Sequence, residues 1–126
     1  MNKNLIFLVD DDVFYLELLK SYLIKYQHPI ELYSNGSDCV DNLYKTPTII
    51  ILDFNFNDPS SPYPDGSKIF LEIKKRSPKT KVIILSNQES GDTVLQLMQI
   101  GIKDYIEKNE NVFKKLDQIF ESMNIY

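Results

Sequence analysis

The sequence has few features of extracellular, membrane or nucleic-acid-binding proteins. Its one cysteine, Cys39, leaves no second thiol for a disulfide within the chain. No apolar run approaches the roughly 20 residues that a membrane-spanning helix needs, and we find no signal peptide. The formal net charge is −4, so the chain lacks the basic excess that usually accompanies binding to nucleic acid. We therefore expect a cytoplasmic protein that binds neither membranes nor nucleic acid directly.

The clearest positive signal is a continuous apolar run in the middle of the chain. It extends from Thr48 to Leu52, stops at Asp53, and is followed by a loop rich in proline. Such a run is typical of a central parallel strand that is buried on both faces. Asp53 would then lie at the carboxyl end of that strand, where open parallel sheets bind their ligands.

Apolar runs alternate with helical periods along the whole chain. Five strands are predicted, at Leu5–Val9, Ile30–Tyr33, Thr48–Asp53, Lys81–Leu85 and Asp104–Glu107. A helix is predicted after each strand, the first over Val13–Tyr26 and the last over Val112–Met123. The expected fold is α/β, a doubly wound five-stranded parallel sheet of flavodoxin-like order 2-1-3-4-5 with five helices. We expect residues 1–126 to form a single domain with no output domain.

Two of the predicted helices have apolar stripes, and we expect the stripe of the first to pack on the sheet. The first helix has Asp12 placed to cap its start. Its wide stripe comprises Phe14, Leu16, Leu18, Leu19, Tyr22 and Leu23. The fourth helix, over Thr93–Ile100, has Val94, Leu97 and Met98 on one side.

Charged and hydroxyl side chains collect at the carboxyl ends of four predicted strands. They are Asp10 and Asp11 after the first strand, Asp53 after the third, Ser86 after the fourth and Lys108 after the fifth. Three neighbouring carboxylates repel one another, and Mg²⁺ suits such oxygen ligands while leaving positions open for phosphate oxygens. Lys108 and Ser86 supply the charge and the hydroxyl that would hold a phosphoryl group. The pattern predicts phosphoryl transfer onto Asp53 to give an acyl phosphate.

Each polar residue also has an ordinary structural explanation when it is taken singly. Asp12 is expected to be only a helix cap, and Ser86 could cap the fourth helix. Lys108 could be a solvated lysine, and Tyr105 could pack with its hydroxyl at the rim of the crevice. All of these explanations would have to hold together, at separate strand ends, for the site to disappear. We therefore favour the site.

The same residues resemble the receiver domain of bacterial two-component response regulators, in particular stand-alone, chemotaxis-regulator-like receivers. The matching segments are Phe7–Asp12, Ile49–Asp53, Asp65–Gly66, Val82–Ser86 and Gly101–Lys108, and the resemblance covers essentially the whole chain. It implies a regulatory phosphoacceptor rather than an enzyme. Asp53 would accept phosphate from the phosphohistidine of a sensor histidine kinase or a phosphotransfer protein.

The resemblance also implies roles for individual residues. The three carboxylates and the backbone carbonyl of Asn55 would hold Mg²⁺, while Lys108 and Ser86 would contact the phosphoryl group. Ser86 would move toward the phosphate, with Tyr105 turning inward behind it, and the side chains of Asn55 and Gln88 would tune the lifetime of the phosphate. The face formed by the fourth helix, fifth strand and fifth helix would then bind an effector protein or support a homodimer that phosphate strengthens.

The sequence departs from the family pattern in three places. Asn109 follows Lys108 where the family usually has proline, so this peptide bond is expected to be trans or strained. Loop 54–65 is longer than the family norm, and it could be a lid over the metal site, a partner surface or a plain surface insertion. Asn87 stands where the family prefers a small residue, which would narrow the approach of a phosphodonor.

Two other functions stay open on the sequence alone. The pattern Asp10-x-Asp12 after a strand also resembles the nucleophile motif of haloacid-dehalogenase-type phosphatases, although the later acidic pair and the cap domain of those enzymes are not found in the sequence. The missing proline and the long loop would fit a pseudo-receiver, an interaction module of this fold that takes no phosphate. The acids, Ser86 and Lys108 argue against that reading.

Overall fold

The computed structural model describes residues 4–87 and 90–125. Its strands are β1 (Ile6–Val9), β2 (Ile30–Tyr33), β3 (Ile49–Asp53), β4 (Lys81–Ser86) and β5 (Asp104–Glu107). Its α-helices are α1 (Val13–Leu23), α2 (Gly36–Asp41), α3 (Gly66–Arg76), α4 (Gly91–Gln99) and α5 (Val112–Ser122). All neighbouring strands are parallel, in the order β2-β1-β3-β4-β5, which confirms the predicted fold. No helix in the described part of the chain is long and apolar enough to span a membrane.

Two hydrophobic layers cover the sheet, one on each face. Alternate residues of β1 point to opposite layers, as the two-residue period of a strand requires. Ile6 and Leu8 pack in the layer formed with α1 and α5. Phe7 and Val9 pack in the layer formed with α2, α3 and α4. The central strands β1 and β3 are therefore buried on both faces, as their continuous apolar runs predicted.

The predicted stripe of α1 is wider than the face that the helix buries. Leu16, Leu19 and Leu23 are buried, whereas Phe14 is 89% exposed and Leu18 is 49% exposed. The buried residues follow an i, i+3, i+7 spacing and form one narrow row along the helix. The prediction that Phe14 and Leu18 face the sheet was therefore wrong.

Helix α4 contacts the sheet through a narrow part of its apolar side. Leu97 is buried, Val94 is half-buried, and Met98 is exposed. The three residues share one side of the helix, as their i, i+3, i+4 spacing predicts, and Leu97 is the one that is buried in the hydrophobic layer.

A polar cluster around Asp117 joins α1 to α5. Tyr22 and Tyr26 both donate hydroxyl hydrogen bonds to the Asp117 carboxylate, and Lys25 Nζ lies 3.0 Å from its Oδ1. The ring of Tyr22 also stacks on Phe113 of α5, with 4.1 Å between centroids. Burial by itself raises the pKa of Asp117, but the hydrogen bonds from the two tyrosines and Lys25 outweigh it and lower the pKa below its usual value.

Replacing Asp117 by asparagine should lower the free energy of unfolding by about 1 kcal/mol at neutral pH. A carboxyl group whose folded pKa is depressed stabilises the fold above its unfolded pKa, and this contribution is lost as pH falls through the folded pKa. The difference between wild type and Asp117→Asn should therefore narrow below about pH 4. Urea unfolding of both proteins at neutral and acidic pH measures this difference in the free energy of unfolding. If the difference does not change with pH, the loss comes from packing and not from the charge of Asp117.

Loop 54–65 packs against α2 and α3. Phe56 is buried in the hydrophobic layer on that side of the sheet, and Asn57 pairs with Asp65 in an isolated antiparallel bridge. The hydroxyl of Ser61 lies 3.0 Å from the hydroxyl of Ser37 on α2. These contacts favour the interpretation of the loop as an ordered surface insertion.

Candidate functional site

Three carboxylates meet at the carboxyl edge of the two central strands. The register pairs Val9 of β1 with Leu52 of β3, so the next residue of each strand emerges beside the other. One carboxylate oxygen from each of Asp10, Asp11 and Asp53 lies within 4.8 Å of the other two. Asp10 and Asp53 are only 2% and 3% exposed, whereas Asp11 is exposed.

Lys108 lies between the two buried carboxylates. Its Nζ is 3.1 Å from Asp10 Oδ2 and 3.1 Å from Asp53 Oδ1. The backbone N–H of Lys108 donates to the carbonyl of Ser86 at 2.7 Å, which fixes the start of the side chain at the end of β5. Burial lowers the pKa of Lys108, but the charges of Asp10 and Asp53 outweigh burial and raise it, so the side chain stays an ammonium.

The carboxyl group of Asp10 has a strongly raised pKa. Burial raises the pKa of Asp10 to about 6, against the hydrogen bond that its Oδ1 accepts from the Asp12 N–H at 2.9 Å. The charge of Asp53 raises this pKa further, and Lys108 lowers it. Three carboxylates share one ammonium, and their oxygens are the ligands that Mg²⁺ prefers. The acidic cluster therefore fits a divalent cation.

The two oxygens of Asp53 differ in their surroundings. Oδ1 accepts a hydrogen bond from the Asn55 N–H at 3.0 Å and faces Lys108. Within residues 4–87 and 90–125, no hydrogen bond reaches Oδ2. This oxygen therefore keeps its lone pairs available for attack on an incoming group.

Ser86 is fully buried at the end of β4. Its hydroxyl donates to Asn55 Oδ1 at 3.2 Å, and the backbone N–H of Asn87 donates to the same oxygen at 2.7 Å. The start of α4 is capped by Ser90, whose hydroxyl accepts from the Thr93 N–H. The alternative that Ser86 caps the fourth helix is therefore wrong.

Four further predictions concern the rim of the site. Tyr105 is half-buried, and its hydroxyl donates to the Asn87 carbonyl at 3.4 Å, so it lies against the loop after β4. The bond between Lys108 and Asn109 is trans, since the structure has no cis peptide among the residues it describes. Asp12 caps α1, as predicted, by accepting from the Tyr15 N–H. Gln88 lies outside the described residues.

Tyr15 is a site residue that the sequence analysis missed. Its ring centroid lies 4.6 Å from Lys108 Nζ. Burial raises the pKa of Tyr15, so the side chain faces the lysine as a neutral phenol. The only sequence signal for its role was its position in the first turn of α1, a few residues after the acids. No spacing rule connects that position with Lys108.

Comparisons of the sequence with a family model and with known proteins agree with one another. The family model of the response regulator receiver domain matches residues 6–120. The chain is 34% identical over 104 residues to the transcriptional regulatory protein CssR of Bacillus subtilis, an alignment that covers 82% of this chain and 44% of CssR. It therefore spans less than half the length of that relative, and 21% of the regulatory protein LuxO of Vibrio cholerae.

Solved structures give the same result. The signal receiver domain of a putative LuxO repressor protein from Vibrio parahaemolyticus has a TM-score of 0.81 and 25% identity, covering 96% of this chain and 89% of that one. A CheY-like receiver domain protein from Methanospirillum hungatei has a TM-score of 0.80 and 20% identity, covering 98% of this chain and 95% of that one. The likeness to the second protein concerns the fold alone.

Proposed function

The chain belongs to the response regulator receiver domain family, and on this premise we propose that it forms one receiver domain that accepts phosphate on Asp53 in two-component signalling. The supporting observation is the asymmetry of the buried Asp53 carboxylate. One of its oxygens is held by Lys108 and the Asn55 N–H. The other accepts no hydrogen bond from the described residues and is the nucleophile in this proposal.

The proposed step is a direct phosphoryl transfer. A lone pair of Asp53 Oδ2 attacks the phosphorus of a phosphohistidine on a sensor kinase or phosphotransfer protein. A new P–O bond forms, the P–N bond breaks, and its electron pair stays on the imidazole nitrogen. Lys108 and the hydroxyl of Ser86 would stabilise the charge on the phosphoryl oxygens.

The acidic cluster would hold Mg²⁺ in this proposal. Its ligands would be the carboxylates of Asp10, Asp11 and Asp53 and the backbone carbonyl of Asn55. When bound, Mg²⁺ supplies the positive charge that lets phosphoryl oxygens approach a set of carboxylates. Lys108 alone leaves a net negative charge among these side chains.

The switch would begin with a competition for one hydroxyl proton. Ser86 can donate a single hydrogen bond, so a bond to a phosphoryl oxygen would replace its bond to Asn55 Oδ1. Tyr105 donates a hydrogen bond to the carbonyl of Asn87, in the loop after β4. It would turn inward as this loop moves. The proposed output surface is the face of α4, β5 and α5, where an effector protein or a second copy would bind. The side chain of Asn55 would also influence the lifetime of the phosphate.

Incubation with acetyl phosphate and Mg²⁺ should add one phosphate to the wild-type protein and none to Asp53→Asn. Intact mass spectrometry measures the gain directly. Asp12→Asn is the matched control, because it makes the same chemical change in a neighbouring acid. Among the described residues, the Asp12 side chain serves only as a helix cap, which asparagine also provides. This control should be phosphorylated like the wild type.

Each other outcome selects a different function. A gain that Asp10→Asn abolishes and Asp53→Asn keeps would favour a hydrolase that uses Asp10 as its nucleophile. The absence of a gain in the wild type, with Mg²⁺ bound, would favour the pseudo-receiver.

A further inference from the structure

Lys108 is held on three sides in the described structure. Two sides are the carboxylates of Asp10 and Asp53, and the third is the ring of Tyr15, whose centroid lies 4.6 Å from Nζ. A cation at this distance from the face of an aromatic ring is attracted by the negative potential of that face. We propose that Tyr15 is a positioning residue that holds the ammonium of Lys108 at the phosphoryl site. This inference rests on the proposed function of Asp53.

The local fold explains why the ring lies there. Asp12 accepts from the Tyr15 N–H at 3.2 Å, so the turn that presents the acids also fixes the backbone of Tyr15. The side chain is half-buried. A cavity of about 220 Å³, lined in part by Tyr15, Leu18 and Phe113, opens between α1 and α5. The ring packs against the hydrophobic layer formed with α1 and α5 and also borders this cavity. The attraction to Lys108 therefore adds to packing in favouring the position of the ring.

The role of Tyr15 follows from what Lys108 must do. A lysine side chain has four flexible carbon–carbon bonds, and its ammonium is strongly hydrated in water. When a phosphoryl group arrives, the ammonium has to turn from Asp53 Oδ1 to a phosphoryl oxygen. The ring of Tyr15 limits this movement to the site and keeps the ammonium out of solvent. Tyr15 should therefore affect phosphoryl binding, while Mg²⁺ binding by the acids should depend on it little.

Beryllofluoride, a stand-in for the phosphoryl group, separates these two effects. We expect Tyr15→Leu to weaken beryllofluoride binding about three- to tenfold, which is the range for a partly desolvated cation–π contact. Its Mg²⁺ affinity should stay close to the wild-type value. Tyr15→Phe should behave as the wild type, because the ring is kept and the Tyr15 hydroxyl has no hydrogen-bond partner among the residues described. Titrations followed by NMR measure both affinities on the same samples.

The outcomes distinguish this inference from the proposed function. If the wild type binds no beryllofluoride, the proposed function fails. If the wild type binds it and Tyr15→Leu binds it equally well, only the role of Tyr15 is overturned. The same conclusion follows if Tyr15→Phe is as weak as Tyr15→Leu, or if Mg²⁺ affinity falls in parallel. Should Tyr15→Leu not fold, Tyr15→Met offers a flexible side chain without a ring for the same comparison.

Discussion

Replacing Lys108 by methionine should lower the free energy of unfolding of the metal-free protein by about 2–4 kcal/mol. The Lys108 side chain is 17% exposed, and its ammonium neutralises two carboxylates that are almost fully buried. Methionine keeps much of the apolar stem, so the loss reports mainly on the charge. Without the ammonium, Asp10 and Asp53 repel each other in a site with little water.

Mg²⁺ should recover much of this loss and should stabilise Lys108→Met more than the wild type. Both cations relieve the same repulsion, so the protein that lacks one of them gains more from the other. A ligand that binds only the folded state raises the free energy of unfolding by RT ln(1 + [L]/Kd). Urea unfolding in EDTA and in millimolar Mg²⁺, for both proteins, gives the four values that are needed.

Lys45→Met is the control for the loss of a lysine. Lys45 Nζ lies 3.0 Å from Glu31 Oε1 in a half-exposed pair, and neither residue belongs to the acidic cluster. Such pairs contribute about 0–1 kcal/mol, and the loss of stability in Lys45→Met should not depend on Mg²⁺.

Equal stabilisation of wild type and Lys108→Met by Mg²⁺ would mean that the ammonium and the metal do not act on the same carboxylates.

The acids of this site were predictable because they depend on strand ends alone. Asp10 and Asp53 end apolar runs that are typical of buried strands, and parallel strands end at one edge of a sheet. Lys108 was predictable in the same way, although its ion pair with Asp10 joins residues 98 positions apart in the chain.

Features that depend on how individual side chains pack and pair were not predictable from the sequence. Phe14 and Leu18 continue the apolar period of α1, and nothing in the period shows that one row of residues seats the helix. The contact between Tyr15 and Lys108 depends on where a ring lies relative to a strand end far away in sequence. The bond between Ser86 and Asn55 depends on how the loop after β3 lies over the end of β4. Sequence periodicity indicates where strands and helices lie, but it determines neither the width of a buried helix face nor these contacts.

Replacing Gly66 by alanine should destabilise the fold by about 1–3 kcal/mol, the usual range for overpacking. Gly66 is the first residue of α3. A Cβ there would lie 2.9 Å from the Cα of Phe54 and 2.9 Å from its carbonyl oxygen. Both atoms belong to the backbone, so a side-chain rotation cannot relieve the clash. Phe54 directly follows Asp53, and its displacement should also slow phosphorylation by acetyl phosphate.

Gly91→Ala is the matched control, because Gly91 is likewise the first residue of a helix that begins after a serine or aspartate cap. A Cβ on Gly91 would meet no atom within 4 Å. Alanine should therefore be neutral there, or stabilising by up to about 1 kcal/mol through the lower entropy of the unfolded chain. If Gly66→Ala matched Gly91→Ala in both stability and phosphorylation rate, the backbone after Asp53 would be free to move aside. Loop 54–65 would then have no part in fixing the phosphoacceptor. A loss confined to Gly66→Ala would instead show that the close approach of α3 to Phe54 holds Asp53 in place. It would also explain on physical grounds why the Asp65–Gly66 pair is among the segments that resemble the receiver family.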